Sequence, residues 1–190
     1  MKKNRLEAFS DGVLAIIITI MVLEIHAPRT ADLTSLRPLV PLLVSYALSF
    51  TFVGIYWNNH HHLIQAAERV NGAILWANLH LLFWLSLIPF ATAWMGLNDF
   101  ASAPVALYGA VLLFAGIAYY ILAQALATHH GKGSTLATAL GDDRKGRISI
   151  VIYAVAVPLA FVSSRLAYSL YAVVALMWLY PDSRFEKALR

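Results

Sequence analysis

The sequence contains no cysteine. Disulfides, thiolate metal sites and cysteine nucleophiles are thereby excluded. Charge is also scarce: Asp, Glu, Lys and Arg make up 13% of 190 residues, against about 25% in ordinary soluble domains. No HExxH, GxSxG, phosphate-binding loop or dinucleotide glycine motif occurs, so the chain does not read as an enzyme. There is no low-complexity tract and no composition break, and residues 1–190 read as a single domain. What the sequence does have is apolar surface, with 60% hydrophobic residues and a mean hydropathy of +0.68. A soluble fold of this size has too little interior to hide so many aliphatic and aromatic side chains. A lipid solvent removes that difficulty.

Apolar runs long enough to cross the hydrocarbon core as helices occur at residues 6–25 (uncharged from Gly12 to Leu23), 39–57 (continuing helically to His62), 73–97 and 103–127. Shorter runs follow at 148–162, with Pro158 as an expected kink, and at 166–180, stopped by Pro181. The last two are separated by Ser163, Ser164 and Arg165 and read as a tight helical hairpin. The expected fold is all-α and polytopic, with six transmembrane helices and one sizeable loop between His129 and Arg147. Lys2 and Lys3 ahead of an apolar run imitate a signal peptide, but Glu7 and Asp11 interrupt the pattern, so the segment reads as a retained helix. With the N-terminus cytoplasmic, only Arg29, Arg37 and Arg165 of the fourteen lysines and arginines fall outside. That asymmetry predicts both termini inside and accounts for the net charge of +4 without nucleic acid.

Polar residues within the runs need an explanation, because a carboxylate deep in a membrane helix costs on the order of 2.5–3.5 kcal/mol. Asp11 is such a residue. Its candidate partners are Arg5, Ser10 and histidines of neighbouring helices: His60, His61 and His62 at the cytoplasmic end of helix 2, and His80 in helix 3. Two roles fit. One is a polar clamp joining three helices; the other is a proton relay or gate. Nothing in the sequence indicates water access, which favours the clamp.

Helix 1 also carries a stripe. With Ile16 at zero and about 100° per residue, Ile20 and Leu23 fall within about 40°, Thr19 about 60° to one side, and Asp11 about 140° away. Taken by itself, such a stripe is lipid-facing or packed.

The run Arg5-Leu6-Glu7-Ala8-Phe9-Ser10-Asp11 resembles the RxxxFSD signature of the lysosomal potassium channel family, transmembrane protein 175, in its bacterial branch. Later segments are similar in order: Trp57-Asn58-Asn59-His60, Trp76-Ala77-Asn78-Leu79 and Ser86-Leu87-Ile88-Pro89-Phe90. The resemblance implies a potassium-permeable cation channel built as a homotetramer, with helix 1 lining a central pore. It implies a hydrophobic constriction at Ile16, with further layers at Ile20 and Leu23 and a threonine at Thr19. It further implies that Arg5, Phe9, Ser10 and Asp11 brace helix 1 through polar contacts that include His60 and His80. Helices 4 to 6 contain no second FSD, so this chain carries one six-helix unit and needs oligomers to enclose a pore.

Potassium is then the expected partner, with sodium and protons as further candidate permeants, alongside the bilayer and other copies of the chain; no cofactor is implied. The alternative is a proton-coupled transporter using Asp11 and the neighbouring histidines, though no inverted repeat or broken-helix pair supports it. Thr51-Phe52-Val53-Gly54-Ile55-Tyr56 imitates the TVGYG filter, but it lies inside an apolar helical run and reads as packing. Consecutive histidines at 60–62 point in three directions and do not chelate. His129 and His130 read as solvated, and Trp57, Trp94, Trp178, Tyr168 and Tyr180 as interfacial belts.

Overall fold

Within hydrocarbon each backbone N–H must be satisfied inside its own segment, so long apolar runs fold as helices. The computed structural model, which describes residues 3–131 and 143–179, bears this out, and no strand occurs among those residues. The elements are α1 (Asn4–Leu23), a 3-10 turn (Leu33–Leu39), α2 (Val40–Gln65), α3 (Gly72–Ser86), α4 (Ile88–Leu97), α5 (Ser102–His130), α6 (Arg144–Leu159) and α7 (Ser164–Leu179). Four helical segments are long and apolar enough to cross a membrane: Asn4–Leu23, Leu33–Gln65, Gly72–Leu97 and Ser102–His130. The hairpin α6–α7 adds two shorter helices, of which Ser164–Leu179 is apolar.

Several boundaries differ from the sequence expectation. The third run is broken at Leu87 into α3 and α4, because Pro89 has no N–H to give and its ring crowds the carbonyl four residues back. The fifth helix starts at Arg144 rather than 148, since the Asp143 carboxylate accepts a hydrogen bond from the Gly146 N–H at 3.2 Å and caps it. Pro158 lies in the last turn of that helix, which ends at Leu159. Ahead of α2, Asp32 caps the 3-10 turn, accepting from the Thr34 hydroxyl at 2.6 Å and the Thr34 N–H at 3.2 Å. Those bonds, the hydroxyl's foremost, hold its carboxyl below the usual carboxylate range. Lys2, Tyr180, Pro181, the C-terminal basic residues and positions 132–142 of the expected loop lie outside the described residues.

The helix α5 runs through the middle, between α3 and α6, while α7 closes against α6, α5 and α2. At one flank α1 lies across α2, α3 and α4. Buried hydroxyls tie α2, α4 and α5 together: Ser45 Oγ donates to the Thr92 carbonyl at 3.2 Å, Thr92 Oγ1 lies 2.7 Å from Ser49 Oγ, and Ser49 Oγ 3.0 Å from the Tyr108 hydroxyl. His130 departs from its expected solvation. Its Nε2 accepts from the N–H groups of Glu68 at 3.0 Å and Arg69 at 3.3 Å, while Nδ1 donates to the Leu126 carbonyl at 2.9 Å. The turn between α2 and α3 is thereby fastened to the end of α5. At the same end Lys3 Nζ donates to the Ile64 and Gln65 carbonyls at 3.1 and 2.6 Å, capping α2 with a cation where the helix dipole favours one.

At Gly96, α4 approaches α2 closely. A Cβ there would lie 2.6 Å from Leu42 Cα and 2.5 Å from Ser45 Oγ. Backbone cannot swing aside, so Gly96→Ala must separate the two helices. Overpacking costs about 1–3 kcal/mol and sometimes more. The melting temperature of the solubilised Gly96→Ala protein is expected to fall well below wild type, while Gly12→Ala, with nothing within 4 Å of its Cβ, stays close to it. Equal melting temperatures for the two variants would contradict this close approach.

Candidate functional site

Helix α1 is divided lengthwise. Leu6, Ser10, Leu14, Ile17 and Met21 are buried against the bundle. The opposite arc exposes Phe9, Thr19 and Ile20, with Ile16 57% exposed and Leu23 73% exposed. Thr19 directs its hydroxyl back onto its own helix, donating to the Ile16 carbonyl at 2.8 Å. Beside the stripe runs an open groove of about 400 Å³ between α1 and α4, lined by Ile16, Ile20, Glu24, Pro89 and Phe90 among others. Glu24 ends α1 and is exposed.

On the buried side a polar brace joins three helices. Ser10 is 0% exposed and Asn78 2% exposed. Ser10 Oγ donates to the Leu6 carbonyl at 2.8 Å. With its one proton committed there, Ser10 can only accept from its other neighbour, so the Asn78 amide nitrogen faces it at 3.0 Å. The Asn78 carbonyl oxygen therefore faces His60 Nε2, at 2.7 Å, and that ring nitrogen carries the proton. The Nδ1 atom of His60 is then a bare acceptor, buried with no hydrogen-bond partner among the described residues.

A second set of contacts links α1 to α2 along their edge. Glu7 Oε1 lies 3.4 Å from His61 Nδ1. Asp11 Oδ1 accepts from Trp57 Nε1 at 3.1 Å. The two pairs are four residues apart on each helix, in opposite chain directions, as antiparallel neighbours require. The Trp57 and His61 rings stack, with centroids 6.0 Å apart.

These placements correct several expected pairings. Asp11 sits at the border between the buried and exposed arcs, and its partner is Trp57 rather than Arg5 or a histidine. Arg5 and Phe9 face outward and are not members of the brace. His80 is also exposed; its Nε2 accepts from Trp84 Nε1 one turn along α3 at 3.0 Å. Its place in the brace is taken by Asn78, two residues earlier and about 200° around the helix. Trp57, expected in an interfacial belt, is partly exposed but hydrogen-bonded to α1.

All of the brace lies within residues 5–89, the stretch that matches the family model described as "Endosomal/lysosomal potassium channel TMEM175". A potassium channel of Chryseobacterium sp. (strain P1-3) is 53% identical over 190 residues, covering 100% of this chain and 99% of its own. The chain belongs to the TMEM175 family. Its fold agrees: the crystal structure of a lysosomal potassium-selective channel TMEM175 homolog from Chamaesiphon minutus superposes with a TM-score of 0.81 at 28% identity, over 93% of this chain and 96% of that one. The family extends to animals. The Danio rerio relative, named an endosomal/lysosomal proton channel, is 26% identical over 133 residues, covering 67% of this chain but 25% of its own. The TMEM175 likeness thus extends across both the brace and the exposed stripe of α1.

Proposed function

We propose that this chain is the subunit of a potassium-permeable cation channel, in which several copies of α1 enclose a central pore. Four copies make the homotetramer, each contributing one six-helix domain, with both termini cytoplasmic in a bacterial inner membrane. The observation that carries the reading is the division of α1: one face is packed and braced, while the other leaves Ile16, Ile20 and Leu23 largely exposed. A ring of isoleucine offers no oxygens to replace an ion's water. Passage through it requires partial dehydration, which potassium tolerates better than sodium, so selectivity is modest and differs in origin from that of a carbonyl filter. Such an apolar collar can also close by dewetting. The family's character as ion channels supports a conductor over an enzyme.

A proton-conducting reading is favoured by one observation, the ladder of Glu7, His61, Asp11 and Trp57 along the α1–α2 edge. Reconstitution separates the two. Purified protein in potassium-loaded liposomes is expected to run as a tetramer and to pass potassium when a protonophore balances charge. A monomer that retains flux would remove the α1 pore, and proton flux without potassium flux would establish the second reading.

A further inference from the structure

A small cavity of about 40 Å³ lies between α2, α5, α6 and α7, walled by Phe52, Tyr56, Asn59, Gly116, Ser149 and Tyr153 among others. Its lining runs from Gly146 to Tyr153, about 10 Å along α6. Much of the wall is aromatic, yet three polar side chains on it lack protein partners. The hydroxyls of Tyr56 and Tyr153 and the side-chain amide of Asn59 make no hydrogen bond within the described residues. Tyr153 is 3% exposed, with the Phe52 and Tyr171 rings centred 6.3 and 6.1 Å from its own. Its hydroxyl is unpaired but not sealed off, so it opens onto the cavity. The Tyr56 hydroxyl lies 3.8 Å from where a Cβ on Gly116 would stand, which puts it at the same wall. Neighbouring groups differ. Ser149 Oγ donates to the Lys145 carbonyl at 2.8 Å and accepts from Trp178 Nε1 at 2.9 Å. The Tyr108 hydroxyl lies 3.0 Å from Ser49 Oγ, and that of Tyr171 donates to the Val105 carbonyl at 3.2 Å. Unmet polar demand is gathered at the cavity.

We propose that this cavity is a water site, in which ordered molecules bridge the Tyr56 hydroxyl and the Asn59 amide on α2 to the Tyr153 hydroxyl on α6. A phenol hydroxyl left unpaired deep in a membrane protein is costly, and buried polar groups that protein does not satisfy are met by water. The dimensions agree: a water needs about 10–15 Å³ of such volume and two to four polar partners, so the space suits about three. An apolar cavity of this size would stay dry, and the three polar side chains are what separate the two cases. The site is distinct from the α1 stripe and does not depend on what the stripe conducts.

The test is X-ray radiolytic footprinting of the full chain in nanodiscs, read by mass spectrometry. Radiolysis turns a bound water into a hydroxyl radical that reacts with the nearest side chain, so a wet buried tyrosine is oxidised and a dry one is not. Tyr108 and Tyr171 are the internal controls, since both are 0% exposed and hydrogen-bonded to protein. Tyr153 is expected to be oxidised severalfold faster than either. Gly116→Ala adds a methyl in ordinary contact with Ile150 at 3.5 Å and with the Tyr56 hydroxyl at 3.8 Å, so it displaces water without crowding the helices. That variant should lose most of the Tyr153 signal while Tyr108 and Tyr171 stay silent. A wild-type Tyr153 as unreactive as Tyr108 means a dry cavity and overturns the proposal. Undiminished Tyr153 oxidation in folded Gly116→Ala protein overturns it too, because the radicals would then arrive from elsewhere. Should that variant fold poorly, the wild-type comparison of the three tyrosines decides by itself.

Discussion

Replacing Ile16 by asparagine is expected to raise potassium conductance and to lower the preference for potassium over sodium toward that of free diffusion. Ile16 stands at the middle of the exposed arc of α1, where its side chain is 57% exposed. If copies of that side chain form the narrowest collar, its amide replacement supplies oxygens and donors that stand in for lost hydration. Relief of about 1.4 kcal/mol raises the rate about tenfold. Thr19→Val should change conductance less, because the hydroxyl is already committed to the Ile16 carbonyl of its own helix. Leu23→Ala widens a layer nearer the end of α1 and should alter selectivity least. A lipid-facing stripe predicts the opposite pattern: unchanged permeation in all three, with small shifts in melting temperature. Single-channel conductance and reversal potentials under potassium–sodium bi-ionic conditions distinguish them. A flat result for Ile16→Asn in tetrameric protein would place the pore on another helix.

The stripe could be read from the sequence because it needs only the helical period: Ile16, Ile20 and Leu23 share a face whatever surrounds them. The four long apolar helices were equally accessible, since hydropathy and length suffice. Contacts between helices were harder. Which group meets Ser10 depends on how α2 and α3 are rotated, and both helices are apolar on nearly all sides, so periodicity does not orient them. His80 drew attention as an ionisable residue in a membrane helix, yet the inward position on α3 is held by the neutral Asn78. A signal was available: an amide in the middle of the apolar segment Gly72–Ser86 must find partners. Trp57 was obscured by the general habit of tryptophan at interfaces, and only the α1–α2 geometry gives it Asp11. The break at Leu87 was visible in Pro89, but the apolar run continues through it, and hydropathy is blind to a missing N–H. His130 looked like loop because its two donors come from a turn some sixty residues earlier.

The brace supplies the remaining prediction, which separates a clamp from a proton path. Asn78→Leu preserves volume while removing both hydrogen-bonding groups. Ser10 Oγ loses its donor and the His60 Nε2–H loses its acceptor, each in a site closed to water. Leaving a buried polar group unpaired costs about 1–3 kcal/mol, so two together should lower stability by roughly 2–5 kcal/mol and release α1 from α2 and α3. Because α1 carries the exposed stripe, the oligomer is expected to dissociate along with it. Asp11→Asn should be mild by comparison. Asparagine keeps an oxygen for the Trp57 Nε1–H, and the site is only half-buried, so the melting temperature should stay near wild type. A relay predicts the reverse ranking. Proton movement through the Glu7–His61–Asp11 edge would be lost in Asp11→Asn at unchanged stability, and Asn78→Leu would matter only through His60. The bare Nδ1 of His60 supports the clamp, since a proton arriving there has no described acceptor to move on to. Thermal melts, oligomer mass and liposome proton flux, measured on both variants, decide the matter. Loss of proton flux in a stable, tetrameric Asp11→Asn protein would establish the relay and overturn the clamp.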